Sequence, residues 1–338
     1  MNYKEDFRKA VTHQDVFPIP YAVRFTVEAK ERFSDYIGKP FSTPELTGSY
    51  AVYSQTNEGW DKVKPGYFRD YFGVVWNKTV DRTLGVVDEP ILKNASFGDY
   101  VFPDPDDLPV YKFIENNNQK YPDHFNFLSI GFALYERAWS MVGMENLLTY
   151  FLMEPDFVHD LLDQIADYNI GMIRNAASIG VDCVRLGDDW AMQTGLILDP
   201  DTWKTFVKPR FKRINQVAKD EGLLVGLHCC GKVDSILDDI VECGVDVFDP
   251  FQPDVMDIYA IREKYRNKLA FWGGLSIQST LPYGTVEDVE RDTNRLLSEM
   301  APGGGYIFAP SHAMTSDIPP ENIVAFLDIL QNQGWNLS

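Results

Sequence analysis

The chain has 338 residues, 45% of them hydrophobic, and a formal net charge of -19, which supplies a large core and argues against nucleic acid or an anionic membrane face as partner. No apolar stretch approaches the ~20 residues of a membrane span, and the opening eight residues lack the hydrophobic core of a signal peptide. The four cysteines, Cys183, Cys229, Cys230 and Cys243, are too few for a disulfide framework, so a cytoplasmic protein with free thiols or thiolate ligands is expected.

In chain order, 18–25 reads as a strand, and Thr26 is placed to cap a helix that begins at Val27. The stretch 38–124 is aromatic and turn-rich. Pro40, Pro44, Pro65, Pro90, Pro103, Pro105 and Pro109 break any long helix there, so it reads as an irregular insertion that caps or lines a site. From about residue 125 onward, short apolar runs alternate with amphipathic stretches. Strands are expected at 125–131, 181–186, 223–227, 245–248, 269–272 and 305–308. Helical patterns occupy 155–178, 200–221 and 319–331, with proline at or near each start. Successive βα units of this kind feed one parallel sheet and favour a closed barrel, with 1–338 as a single domain.

In such barrels the chemistry sits where strands end and loops begin. Those ends are polar here: Glu28, Glu136 and Arg137, Asp188-Asp189-Trp190, His228-Cys229-Cys230, Asp249-Pro250-Phe251-Gln252, Gly273 to Ser276, and Ser311-His312. His228 and Cys230 are the most informative. Two apart on an extended chain, they project to one side while Cys229 points away, which reads as half of a zinc site. A catalytic zinc takes three protein ligands and keeps a position open; His312 or Glu28 would complete the set. Asp188 and Asp189 are candidates to hold a substrate or move a proton. Asp249 precedes a proline and reads by default as a turn former. The chain has no GxxxxGK[ST], HExxH or GxSxG, and Pro302-Gly303-Gly304-Gly305 lacks dinucleotide-binding spacing.

Taken together, Tyr21 to Glu28, Asp188 to Gln193, His228-Cys229-Cys230-Gly231, Phe271 to Gln278 and Gly304 to His312 resemble the uroporphyrinogen decarboxylase superfamily from about residue 18 to the carboxyl terminus. The resemblance implies a distorted (β/α)8 TIM barrel. It also implies a division of activities, because the true decarboxylases carry an Arg-Gln-Ala-Gly-Arg element that holds porphyrinogen carboxylates, and here Arg24 stands alone among Val23, Phe25 and Thr26. In the other branch, zinc methyltransferases exchange methyl groups with corrinoid proteins, and a His-x-Cys after the fourth strand supplies two ligands. Members acting on coenzyme M add a third ligand, a cysteine, near the seventh strand, where this chain reads Pro310-Ser311-His312.

The resemblance therefore points to transfer from a small methoxylated, aromatic substrate to the cobalt of a corrinoid partner protein, with Zn2+ as cofactor. Thiol methylation of the coenzyme M kind and decarboxylation are the alternatives. Phe25, Trp139, Trp190 and Trp272, with Gln193, are expected to line the substrate site, and His228, Cys230, His312 and Glu28 are the candidate metal ligands.

Overall fold

The protein is described by a computed structural model covering residues 2–56 and 59–333. Seven parallel strands form one sheet in chain order: β1 Ala51–Gln55, β2 Phe125–Ile130, β3 Cys183–Gly187, β4 Leu224–His228, β5 Val247–Phe251, β6 Ala270–Leu275 and β7 Tyr306–Pro310. Near-continuous apolar runs suit strands covered on both faces, and every residue of β2, β3, β5, β6 and β7 is buried. Helices Pro155–Ile179, Val286–Met300 and Lys208–Asp220 are the longest connections and flanks, followed by Pro109–Lys120 and Pro320–Gln331.

The segment 18–25 closes the ring as the eighth stave. Tyr21 bridges Phe308 of β7 and Phe25 bridges Met314, both parallel, while the Tyr50 amide donates to the Tyr21 carbonyl at 2.9 Å. These pairings are too sparse for a regular strand, yet they join β7 to the start of β1. The expected (β/α)8 barrel is present. Thr26 caps the helix Val27–Ile37 by accepting from the Ala29 amide at 3.2 Å, and the helix stops at Gly38, whose φ of 67° is left-handed.

The stretch 38–124 departs from the irregular insertion read from its prolines. It contains β1, which pairs with β2 so that Tyr53 lies opposite Phe127. An antiparallel sheet follows, built from Asp61–Lys64, Tyr67–Arg69, Val75–Asn77 and Val86–Glu89, and then the helix Pro109–Lys120. Pro109 opens that helix instead of breaking it, since the first turn needs no amide from it. The predicted strands from 125 onward all form, but β5 runs through Asp249 and Pro250 to Phe251. Asp249 is therefore a strand residue and not the turn former its following proline suggests.

The barrel interior is filled in layers. Helix Tyr3–Val11 lies across the amino-terminal ends of the strands, and its Phe7 stacks on Phe125 at 4.6 Å. Above them Tyr53, Phe127 and Trp272 stack on one another, with ring centroids 5.4 to 6.0 Å apart. The guanidinium groups of Arg24 and Arg185 lie 5.8 and 5.7 Å from the Trp272 ring. This change from aromatic to charged side chains marks the floor of the mouth.

Candidate metal centre

β4 ends on His228 and the chain continues extended, so His228 and Cys230 face the mouth while Cys229 is buried and accepts from the Trp190 amide at 3.2 Å. Gly231 then turns the chain at a φ of 90°, where a Cβ would come within 2.7 Å of the Ala191 backbone. Its amide donates to Gln252 Oε1 at 2.7 Å. His312 enters from the end of β7, where the Ser311 amide donates to the Leu275 carbonyl at 2.7 Å and Ser311 Oγ accepts from the Ile277 amide at 3.2 Å. Donor atoms of His228, Cys230 and His312 all lie within 4.8 Å of one another. His228 Nε2 is 3.5 Å from Cys230 Sγ.

Beneath this group lies a charged layer. Register sets His228 opposite Asp249 on β5, and His228 Nδ1 is 3.0 Å from Asp249 Oδ2. Arg185 grips the same carboxylate twice, Nε to Oδ1 at 2.8 Å and Nη2 to Oδ2 at 2.6 Å, and donates to Ser129 Oγ at 3.0 Å. Arg24 donates to Asp249 Oδ2 at 3.3 Å. Arg185 Nη2 also lies 2.5 Å from His228 Nδ1. The two contacts ask for opposite tautomers: a carboxylate needs Nδ1 to carry the proton, a guanidinium needs it bare. A metal on Nε2 requires the first, which is the carboxylate–histidine arrangement that orients and strengthens a ligand imidazole.

Protonation favours a cation. Burial, followed by the Arg185 charge, lowers the His228 pKa to about 3, and burial with Arg24 and Arg185 lowers that of His312 to about 4. Both rings are neutral near pH 7 and offer lone pairs. Burial and then Asp189 and Asp249 push the Cys230 thiol well above its ordinary range. Burial alone would raise Asp249, but the charges and hydrogen bonds of Arg185 and His228 together outweigh it and hold its carboxyl far below the usual range. Two neutral imidazoles and a thiol deprotonated on binding form a donor set suited to zinc.

The acids divide. Asp188 accepts from the amides of Leu134, Tyr135 and Glu136 at 2.8 to 3.1 Å and from Trp190 Nε1 at 2.5 Å, so it caps the helix Tyr135–Val142. Burial lifts its pKa to about 6 against those donors. Asp189 Oδ1 accepts from the Cys230 amide at 2.8 Å and so abuts the His228, Cys230 and His312 group. Burial raises Asp189, and burial with the charges of Asp189 and Asp188 raises Glu136 well above the carboxylate range.

Of the other expected residues, Trp272 borders a narrow hollow with Arg24, Asp249 and His312. Glu28 lies outside the group, 3.9 Å from Arg82 Nε. Phe25 is buried between Phe33 and Phe41, Trp190 between Trp203 and Phe211, and Trp139 packs edge-on to Phe132. Gln193 is exposed on the turn between Ala191–Met192 and Gly195–Leu196. Arg185 and Arg24, absent from the expected site, hold Asp249, and Ser129 in turn accepts from Arg185. A lone arginine within the apolar run of β3 is the signal that could have found the first of them.

Residues 77–333 match the sequence pattern of the family described as Uroporphyrinogen decarboxylase (URO-D). The chain belongs to this family. It is 23% identical over 214 residues to a methylated-thiol–coenzyme M methyltransferase of Methanosarcina mazei, a match covering 63% of this chain and 55% of that protein. A methylcobamide:CoM methyltransferase of Methanosarcina barkeri is 22% identical, with 56% of this chain and 53% of that protein covered. A uroporphyrinogen decarboxylase of Magnetococcus marinus is 21% identical, over 75% and 72% of the two chains. The chain thus spans about half the length of most of the curated relatives it matches. In fold it superposes on a solved methyltransferase from Methanosarcina mazei with a TM-score of 0.77, covering 98% of each chain at 18% identity. This member of the URO-D family is similar in sequence to both methyltransferases and decarboxylases. Among the described residues no helix is long and apolar enough to cross a membrane.

Proposed function

We propose that this chain is a zinc methyltransferase that takes a methyl group from a methoxylated aromatic compound and passes it to the cobalt of a corrinoid carried by a separate protein. The observation that carries the reading is the convergence of His228, Cys230 and His312 donor atoms within 4.8 Å at the barrel mouth. When bound there, Zn2+ supplies a Lewis acid to the ether oxygen, whose departing phenolate, from a phenol of pKa about 10, is a poor leaving group without help. With a single thiolate among three protein ligands, the site keeps more positive charge than one with two thiolates, which suits pulling electrons from an oxygen.

The chain's own residues do the rest. Asp249, clamped by Arg185, holds the His228 ring with Nε2 toward the mouth. Trp272 lies below His312 in the floor of the mouth, its ring covered by Arg24 and Arg185. Asp189 positions Cys230 by accepting from its amide, and with Glu136 it forms a half-buried acid pair able to hold one proton and return it to the leaving oxygen. Asp188 orients this pair by fixing the start of the helix that carries Glu136.

Methyl transfer from a corrinoid protein to a thiol is the second reading, favoured by the names of the two methanogen relatives. Decarboxylation of a porphyrinogen fits less well, because Arg24 and Arg185 both turn onto Asp249 and form no cradle for several carboxylates. Incubating the protein with a reduced corrinoid protein and a panel of methoxylated arenes and thiols, while following cobalt absorbance, tests the proposal. Methylation of cobalt by methoxyarenes, lost in His228→Ala, supports it; demethylation of methylcobalt by thiols alone replaces it with the second reading.

A further inference from the structure

The small antiparallel sheet leaves an open hollow of about 390 Å³ beside the helix Val27–Ile37, lined by Gly59, Trp60, Gly66, Phe68, Lys78 and Arg82. Methyl transfer gives it no role, and it shares no residue with the His228, Cys230 and His312 group. The segment that carries Lys78 and Arg82 is tied down at both ends. The Lys78 amide donates to the Gly66 carbonyl at 2.7 Å, and Thr83 Oγ1 accepts from the Val27 amide at 3.3 Å.

Two cations meet in this hollow, but only one is matched. Arg82 Nη1 and Nη2 donate to the two Glu31 oxygens at 2.9 and 2.8 Å, and Glu28 lies 3.9 Å from its Nε. Lys78 has no carboxylate partner among the described residues. Its Nζ donates to the Thr83 carbonyl at 3.3 Å and sits 4.5 Å from the Trp60 ring centroid and 5.8 Å from that of Phe68. Asp81, whose charge it feels, turns Oδ1 to the amides of Thr83 and Leu84 at 2.9 and 3.1 Å. Burial lowers the Lys78 pKa against the pull of Asp81, as for a charge stripped of water without a counter-ion in its place. In a chain of net charge -19, a half-buried ammonium that faces open space with donors to spare is an exception.

We propose that this hollow is a binding site for a singly charged aromatic carboxylate, its oxygens accepting from Lys78 Nζ and its ring lying against Phe68 and Trp60. Aromatic walls with one placed charge are a usual make-up of a small-molecule site. Only one ammonium is free, and Glu28, Glu31 and Asp81 stand close by, so a second negative charge on the ligand would meet repulsion with nothing to offset it. The assignment rests neither on zinc nor on methyl transfer.

The test is calorimetric titration of the purified protein with benzoate at about pH 8 and fixed salt, since exposed charges are screened. Benzamide, phenyl phosphate and acetate are the comparison ligands, and Lys78→Gln and His312→Ala the variants. Saturable binding of benzoate, weaker by about tenfold or more in Lys78→Gln, is the expected result, because a charge-assisted hydrogen bond is lost. Benzamide lacks the charge, phenyl phosphate carries a second one and acetate lacks the ring, so each should bind at least as weakly as benzoate does to that variant. His312→Ala should bind benzoate as the wild type does. Absence of saturable binding, equal binding by Lys78→Gln, or equal affinity for any comparison ligand overturns the assignment. Loss of binding in His312→Ala would place benzoate at the barrel mouth and overturn it as well. The comparison of benzoate with benzamide uses the wild type alone, so it decides the matter even if Lys78→Gln fails to fold.

Discussion

Arg185 and Asp249, two strands apart in the sheet, are joined through both nitrogens and both oxygens, Nε to Oδ1 at 2.8 Å and Nη2 to Oδ2 at 2.6 Å, and the carboxylate so fixed faces His228 Nδ1 at 3.0 Å. The pair is buried, with each side chain 4% exposed. It sets the orientation of the imidazole from below and leaves Nε2 turned toward Cys230.

Removing that support should separate two effects. Asp249→Asn keeps the shape but loses the charge that opposes Arg185 and Arg24, so the folded state should lose about 3–5 kcal/mol, as when one partner of a buried ion pair is deleted. Zinc affinity should fall about 10–100-fold, the usual cost of losing a partner behind a ligand histidine. Urea unfolding and competition with a chromogenic chelator measure the two. Unchanged zinc affinity in a folded variant would contradict the role given to Asp249.

His312 and Glu28 are told apart by metal content. His312 shares the donor group with His228 and Cys230, and Glu28 sits outside it near Arg82. His312→Ala should therefore lose most of its zinc on dialysis against a weak chelator, while Glu28→Gln keeps a full complement by elemental analysis. The reverse pattern would assign the third position to the carboxylate.

Metal uptake should release one proton. The imidazoles, with pKa values of about 3 and 4, are already bare near neutrality, whereas burial and the neighbouring acids keep the Cys230 thiol protonated. Protons compete only for the sulfur, so the logarithm of apparent affinity should rise by about 1 per pH unit between about pH 6 and 8. A flat profile would mean that Cys230 is a thiolate before metal arrives or is not a ligand.

Asp188 should matter for folding more than for metal. Its carboxylate accepts three amides at the start of the helix Tyr135–Val142 and the Trp190 indole N–H. Asp188→Ala strands these buried donors, and a loss of about 3 kcal/mol or more is expected from the unmatched amides. Denaturation gives the cost and elemental analysis should show zinc retained. Zinc loss with full stability would make Asp188 part of the centre.

The barrel was legible where chemistry leaves few choices. Runs such as Phe125–Ile130 and Ala270–Leu275 are apolar at nearly every position because both faces are covered, and the His-x-Cys spacing marks two side chains on one side of an extended chain. Ala51–Gln55 was not legible: it is short, ends in Ser and Gln, and sits among prolines that suggest loops. The small antiparallel sheet hides for another reason. Asp61–Lys64 is exposed at all positions and carries no alternation. Asp249 was masked by Pro250, since Asp-Pro usually signals a turn, and only the long-range partners Arg185 and His228 show it to be a buried strand residue. Trp190 looked like a substrate wall because it follows a strand, but its ring is needed in the core between Trp203 and Phe211.

The central claim is that three side chains from the ends of β4 and β7 bind one zinc ion. X-ray absorption at the zinc edge of protein purified without chelator tests it most directly. The expected shell is one sulfur at about 2.3 Å and two imidazole nitrogens at about 2.0 Å, plus one lighter exchangeable ligand, with the sulfur contribution gone in Cys230→Ser. A protein that binds no stoichiometric zinc, or a shell with no sulfur in the wild type, would contradict it.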